Sequence, residues 1–319
     1  MSLSLPPLDV PFESNRIERF LVDALARRLN RRGVVLGVSG GVDSAVCASL
    51  AVRALGPERV FALLMPESQV SDGGTERALD LCRQLGVRHV VEDITESLEA
   101  IGCYRRAEEA IRRLVPEFGP GWRHKIVLAA GGHDGTGLPF FSLVVESPDG
   151  ACTSQRMPAD VYLQVVAATN FKQRVRKSLE YFHAERLNHA VLGTPNRLEY
   201  ELGFFVRGGD GLADVKPIAH LFKTHVYSLA QHLDVPDDIR RQAPSTGTYS
   251  LPQTQEEFYF ALPYDRADLL LHGMTVGVAA DEICRALDCA PPVVDRLRRE
   301  FTAKRRVAER SLGEALVVE

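Results

Sequence analysis

A six-residue turn, Ser39-Gly40-Gly41-Val42-Asp43-Ser44, follows directly on the apolar run 34–38. It constrains the fold more than any other feature of the chain. The run is short enough for a strand buried on both faces. Residues 45–55 then place apolar side chains on a helical period. The turn therefore joins a buried strand to a helix N-terminus. Glycines there let backbone N–H groups come close to an anion, and the helix dipole favours negative charge at that end. Ser39 and Ser44 add hydroxyl donors, and Asp43 offers Mg²⁺ a hard oxygen ligand. No lysine follows the glycines at the GxxxxGK[ST] spacing, so the turn is not the loop that cradles a transferred γ-phosphate.

Strand and helix alternate around this turn. A helical period runs over 16–29, and apolar strand-like runs occupy 60–65, 89–91 and 189–192, with a helical stretch at 76–85. Such alternation implies right-handed crossovers and a parallel sheet flanked by helices, a doubly wound α/β fold. Ligands bind such sheets at the carboxyl ends of the strands. The turn, the segment Met65-Pro66-Glu67-Ser68 and Gly193-Thr194 all lie at such ends and are expected to converge.

Residues 102–168 break the alternation. They contain a glycine-rich loop over 131–137, an apolar run over 140–146, the turn signal Asp149-Gly150 and a return strand over 151–157. An inserted β-hairpin within one domain spanning 1–319 is expected. A charged amphipathic helix over 170–187 follows, and 266–319 reads as a helical segment with a breaker at Pro291-Pro292. Its basic end (Lys304, Arg305, Arg306, Arg310) is a solvated helix face or a tail that folds over an anionic ligand.

With a net charge of −4, the chain lacks the footprint of a nucleic-acid binder. It holds no run of 18 apolar residues that could span a membrane and no basic–apolar leader pattern. Its six cysteines are scattered without a CxxC pair, so no zinc knuckle or redox dithiol is expected. Cys47 and Cys82 sit among apolar residues as buried thiols. A reducing, cytoplasmic setting is expected.

Forming an amide from a carboxylate and ammonia fails in water because hydroxide leaves poorly; transfer of AMP to the carboxylate removes that obstacle. Such chemistry needs a backbone nest for pyrophosphate, carboxylates for Mg²⁺, and cationic or hydroxyl groups on the outer phosphates. The chain supplies residues 39–44, Asp43 with Glu199, and Lys223 with Ser245.

In order, SGGxDS, GTxNxxE, GDGxxD, LxKT and a Pro-Ser turn resemble the ammonia-type NAD synthetase family, whose loop splits ATP into AMP and pyrophosphate. The resemblance covers 34–94 and 170–265 and implies an adenine nucleotide alpha hydrolase-like fold. By that resemblance, Gly37, Ser39, Gly40, Gly41, Asp43, Ser44, Thr194, Lys223 and Ser245 would bind ATP, with Asp43 and Glu199 on Mg²⁺. Asp43, Lys223 and Ser245 would be catalytic. Arg174, Arg207, Asp214 and Lys304 would hold deamido-NAD, and a homodimer is implied. The nitrogen donor would be free ammonia, or ammonia from a separate protein, since only about thirty residues precede the first strand, too few for a glutaminase domain.

Three departures cluster on the substrate side. Arg207 stands where the family has Lys, Gly247 replaces an acidic residue, and Ala303 replaces a His. The same adenylation and amidation on a different carboxylic acid therefore stays an alternative. A tRNA-modifying sulfur-transfer enzyme with the same loop is disfavoured by the scattered cysteines and the charge. A non-enzymatic nucleotide binder is disfavoured because both carboxylates and the Lys are present.

Overall fold

Helix α1 (Val10–Asp23) opens the chain in a computed structural model that describes residues 3–70, 73–131 and 137–313. Asp9 caps it by accepting the Phe12 N–H at 3.0 Å, and Pro11 sits in its first turn. The helix therefore starts well before the expected Arg16, and its last turn widens into a π-helix over Ala24–Leu29. Strand β1 (Val34–Gly37), helix α2 (Val42–Leu55), strand β2 (Val60–Leu64), helix α3 (Gly74–Leu85) and strand β3 (Arg88–Val91) then follow as two crossovers.

Helices α4 (Thr95–Ala100) and α5 (Cys103–Ile111) lead into strands β4 (Arg123–Gly131), β5 (Gly137–Glu146) and β6 (Cys152–Arg156). Helix α6 (Ala159–Leu187) and strand β7 (Ala190–Val191) return the chain to the parallel sheet, whose order is β3-β2-β1-β7. The direction of winding reverses between β1 and β7, which makes their carboxyl ends a switch-point crevice. Beyond β7, Leu192 bridges Val215 in parallel.

Alternation along β1 divides the core. Val34 and Leu36 pack with α1, α2 and α3 on one face, and Val35 packs with Phe61, Leu98, Cys103 and Ala184 on the other. Helices on both faces make the fold doubly wound, as expected. Residues 45–51 of α2 are buried in the core, so α2 has little surface to offer a second subunit. Helices α7 (Arg197–Leu202), α8 (Lys223–His232), α9 (Asp237–Arg240), α10 (Tyr264–Val276), α11 (Ala280–Leu287) and α12 (Pro291–Leu312) complete the described chain. Leu198, Phe222, Phe260, Leu271 and Phe301 form their shared core. Pro291-Pro292 starts α12 rather than breaking it, because the first helical positions need no N–H donor.

The insert departs from expectation in two ways. The expected hairpin is there as β5-β6, but β4 pairs along β5 as well and makes it a three-stranded antiparallel sheet. Helix α6 also begins at Ala159, so the chain is helical long before residue 170. Of the anticipated glycine-rich loop, residues 132–136 lie outside the described residues. Ile126, Leu143 and Val145 of the sheet pack against Val161 and Val165 of α6.

His124 of β4 is buried edge-on between Phe118 (5.6 Å) and Tyr249 (5.5 Å). Burial, reinforced by the charge of Lys172, pushes its pKa down to about 3. The unfolded chain takes up a proton below pH 6.5 that the folded chain refuses. The associated stability is therefore present above about pH 6.5 and is lost as pH falls toward 3. Between pH 7.5 and 5.5 the protein is expected to lose about 1.4 kcal/mol more than a His124→Phe variant. Urea titrations at the two pH values check this; equal losses would contradict it.

Candidate active site

The 39–44 turn is built as expected. Ser44 Oγ donates to the Gly41 carbonyl (2.9 Å), and the Ser39 N–H donates to Ser44 Oγ (3.3 Å). Gly41 is the N-cap of α2 and brings no capping side chain, so the first N–H groups of α2 stay available to an anion. Gly40 adopts φ +79°, and a Cβ there would fall 2.3 Å from the Gly74 carbonyl oxygen at the start of α3. Only glycine lets α3 come this close to the turn.

A cleft of about 500 Å³ opens above the turn. Gly37, Ser39, Gly40, Gly41, Asp43, Ser44, Thr194, Glu199, Lys223 and Ser245 all line it, so segments far apart in the sequence meet there. Lys223 is 1% exposed, and its Nζ pairs with Asp43 Oδ2. Burial opposes its charge, yet Asp43 and Glu199 outweigh burial and hold its pKa above the usual lysine value. Burial, and then the charge of Asp43, push the Glu199 carboxyl up to about 8. With both carboxylates ionised, two negative charges would face the single charge of Lys223, a condition that a cation relieves.

Two residues that position this trio were given no role from the sequence, although Asn196 lies within the GTxNxxE motif. Asn196 caps α7: its Oδ1 accepts the Glu199 N–H (3.2 Å), while Glu199 Oε2 accepts the Asn196 N–H (3.0 Å). The same side chain donates Nδ2 to Asp43 Oδ1 (3.3 Å), tying the two carboxylates together. The signal was the Asn-x-x-Glu spacing of a capping box. Asp268 of α10 caps α8, accepting the N–H groups of Lys223 (3.3 Å) and Thr224 (3.0 Å). That sets where Lys223 leaves its helix.

A second buried network forms the far wall. Lys172 and Glu67 pair at 2.8 Å, both essentially unexposed, and Tyr104 Oη donates to Glu67 (2.7 Å). Lys172 also donates to the Thr248 carbonyl (2.7 Å). Lys177 and Glu180 pair at 2.6 Å, and Arg176 donates to the Met65 carbonyl (3.3 Å). Met65 and Glu67 do reach the cleft, as the strand-end argument expected.

Arg174, Arg207, Asp214 and Lys304 are not among the cleft-lining residues. Arg174 is exposed on α6 and donates to the Arg207 carbonyl (3.3 Å). Asp214 accepts from the Val191 N–H (2.8 Å) and from Tyr181 Oη (3.3 Å), two turns along α6 from Arg174. The first three therefore share the outer side of α6. Lys304 pairs with Glu300 (2.6 Å) and donates to the carbonyl of Tyr259, a cleft residue. Arg305 pairs with Glu201 (3.1 Å), so this part of the basic end lies in α12 against acidic partners.

The family model described as NAD synthase matches residues 13–117 and 141–307. An NH(3)-dependent NAD(+) synthetase of Rhizobium meliloti (strain 1021) is 54% identical over 299 residues, 94% of this chain and 89% of that protein. Among solved structures, NMN synthetase from Francisella tularensis superposes with a TM-score of 0.67 at 23% identity, covering 98% of this chain and 99% of the other. NH3-dependent NAD synthetase from Campylobacter jejuni gives 0.64 at 23% identity, covering 98% and 100%. At that identity the two structures establish the shared fold alone.

Proposed function

The chain belongs to the NAD synthase family, and on that premise we propose that it joins ammonia to the carboxylate of deamido-NAD. ATP is split to AMP and pyrophosphate in the process. The observation that carries this reading is the meeting of Asp43, Glu199 and Lys223 at the N-terminus of α2, in one cleft with the 39–44 turn. A substrate carboxylate oxygen attacks the α-phosphorus, and the bond to the pyrophosphate oxygen breaks. Ammonia then attacks the acyl carbon, and AMP leaves with the electrons of the C–O bond.

The turn residues Gly37, Ser39, Gly40, Gly41, Asp43 and Ser44 take the phosphates, with Thr194, Lys223 and Ser245 completing the ATP site. Lys223 and the α2 N-terminus stabilise the charge that develops on departing pyrophosphate. Their donors are fixed before reaction, so little reorganisation opposes the step. Mg²⁺ suits the donor set, two hard carboxylates in the cleft beside the 39–44 turn. Asp43 and Glu199 would hold it. When bound, it supplies charge neutralisation on the phosphates.

Arg174, Arg207, Asp214 and Lys304 hold the dinucleotide, and a homodimer completes that side. Phe182 is 58% exposed beside Tyr181, the partner of Asp214, so a second copy covering this part of α6 would also close the Arg174 surface. Light scattering is expected to give twice the chain mass, and Phe182→Asp to give the single-chain mass with a KM for deamido-NAD raised about tenfold. A wild-type monomer would contradict this. We place the protein in the cytoplasm: its six cysteines are free thiols, which suits a reducing compartment. Among the described residues no helix is long and apolar enough to cross a membrane.

Protein supplied with ATP, Mg²⁺, ammonium and deamido-NAD is expected to form NAD and pyrophosphate in equal amounts. ATP binding with no NAD, and pyrophosphate release only with another carboxylic acid, would shift the reading to the same chemistry on that acid.

A further inference from the structure

The insert sheet grips one wall of the cleft from outside. Residues 244–255 close into a loop: Ser245 bridges Thr254, the Thr246 N–H donates to the Gln253 carbonyl (3.1 Å), and the Gln255 N–H donates to the Pro244 carbonyl (3.1 Å). Ser245, Thr246, Gly247 and Thr248 line the cleft. The opposite edge of the loop is tied to β4. The Leu251 N–H donates to the His124 carbonyl (3.0 Å), and the His124 N–H donates to Ser250 Oγ (2.8 Å). Buried Gln253 donates its amide to the Ile126 carbonyl and accepts from Thr246 Oγ1 (3.1 Å), linking the insert to a cleft residue through one side chain. Lys125 holds both carboxylate oxygens of Glu257 (2.7 and 2.9 Å) and reaches the Pro252 carbonyl (3.3 Å). Strand β4 falls within the stretch 118–140 that the family model leaves unmatched.

A loop that a ligand must order weakens that ligand's binding by the conformational entropy lost, and a loop ordered beforehand does not. We propose that the β4–β6 sheet is a strut that orders the 244–255 wall before ATP arrives, with Lys125 and Gln253 as positioning residues. This rests on the reading that Ser245 meets ATP.

The test uses the full chain with Lys125→Met, with Lys125→Arg as the rescue and Gln253→Met as an independent variant that keeps volume. Hydrogen exchange is read over 246–255 without ATP, alongside kcat and the KM for ATP. The wild type is expected to be protected there without ATP. In Lys125→Met, exchange is expected to quicken about tenfold and the KM for ATP to rise about tenfold, with kcat within about twofold. Lys125→Arg is expected to restore both. Unchanged exchange in both Met variants would overturn the strut, as would a kcat that falls with melting temperature while the KM stays put. A Ser245→Ala variant separates the two readings. If it raises the KM for ATP while Lys125→Met does not, the strut alone fails. If loosened exchange and Ser245→Ala both leave that KM unchanged, the placing of ATP on this wall fails with it.

Discussion

Lys223→Met is expected to slow pyrophosphate release by about a thousandfold, the upper range for removing a fixed charge from a transition state. The side chain is 1% exposed, so solvent cannot take over its role. Its Nζ sits against Asp43 and lies 5.2 Å from the Tyr264 ring centre and 5.8 Å from that of Tyr227. Methionine fills that channel at similar length. Breaking a fully buried ion pair costs about 3–5 kcal/mol, but less is expected here. Asp43 keeps 17% of its side chain exposed to the cleft, and Glu199, pushed up to about 8, can hold a proton. The variant should therefore stay folded while its chemistry fails. Rapid-quench measurement of pyrophosphate with a melting curve alongside separates the two. A wild-type rate would remove Lys223 from the mechanism.

Gly40→Ala is expected to weaken ATP binding by about a hundredfold or more and to cost about 2–4 kcal/mol of stability. A Cβ at this φ of +79° meets a backbone oxygen of Gly74 at 2.3 Å, and no side chain can swing aside to relieve it. Either the turn or the start of α3 must move, and both line the cleft. Gly150→Ala is the control: its φ is +87° but nothing lies within 4 Å, so it should cost about 1–2 kcal/mol and leave ATP binding alone. Calorimetric titration with ATP beside denaturant melts checks the pair. Equal ATP affinity in Gly40→Ala and wild type would contradict the account of the turn.

The strand, turn and helix at 34–55 were legible because the chemistry is local: glycines, hydroxyls and a carboxylate within six residues. Their convergence with Thr194, Glu199, Lys223 and Ser245 followed from strand-end placement and motif order. Asn196 was legible in principle through its capping spacing. Lys172 was not. It sits in a charged helix, where lysine is ordinarily solvated, and its partner Glu67 is 105 positions away with no spacing rule to join them. Strand β4 was not anticipated because it opens on three polar residues, Arg123, His124 and Lys125, and its pairing with β5 and its grip on residues 250–257 are long-range. The start of α6 was missed because its apolar positions serve two cores, Val161 and Val165 with the insert and Ala184 with the parallel sheet. That spreads them around the helix and blurs the period.

Deamido-NAD labelled with ¹⁸O in both carboxylate oxygens tests the adenylation step most directly. One labelled oxygen should appear in AMP and the other in the amide of NAD, with none in pyrophosphate, because the carboxylate attacks the α-phosphorus. Label in orthophosphate with ADP as co-product would contradict the account, placing the attack on the γ-phosphorus and leaving the 39–44 turn without the role assigned to it.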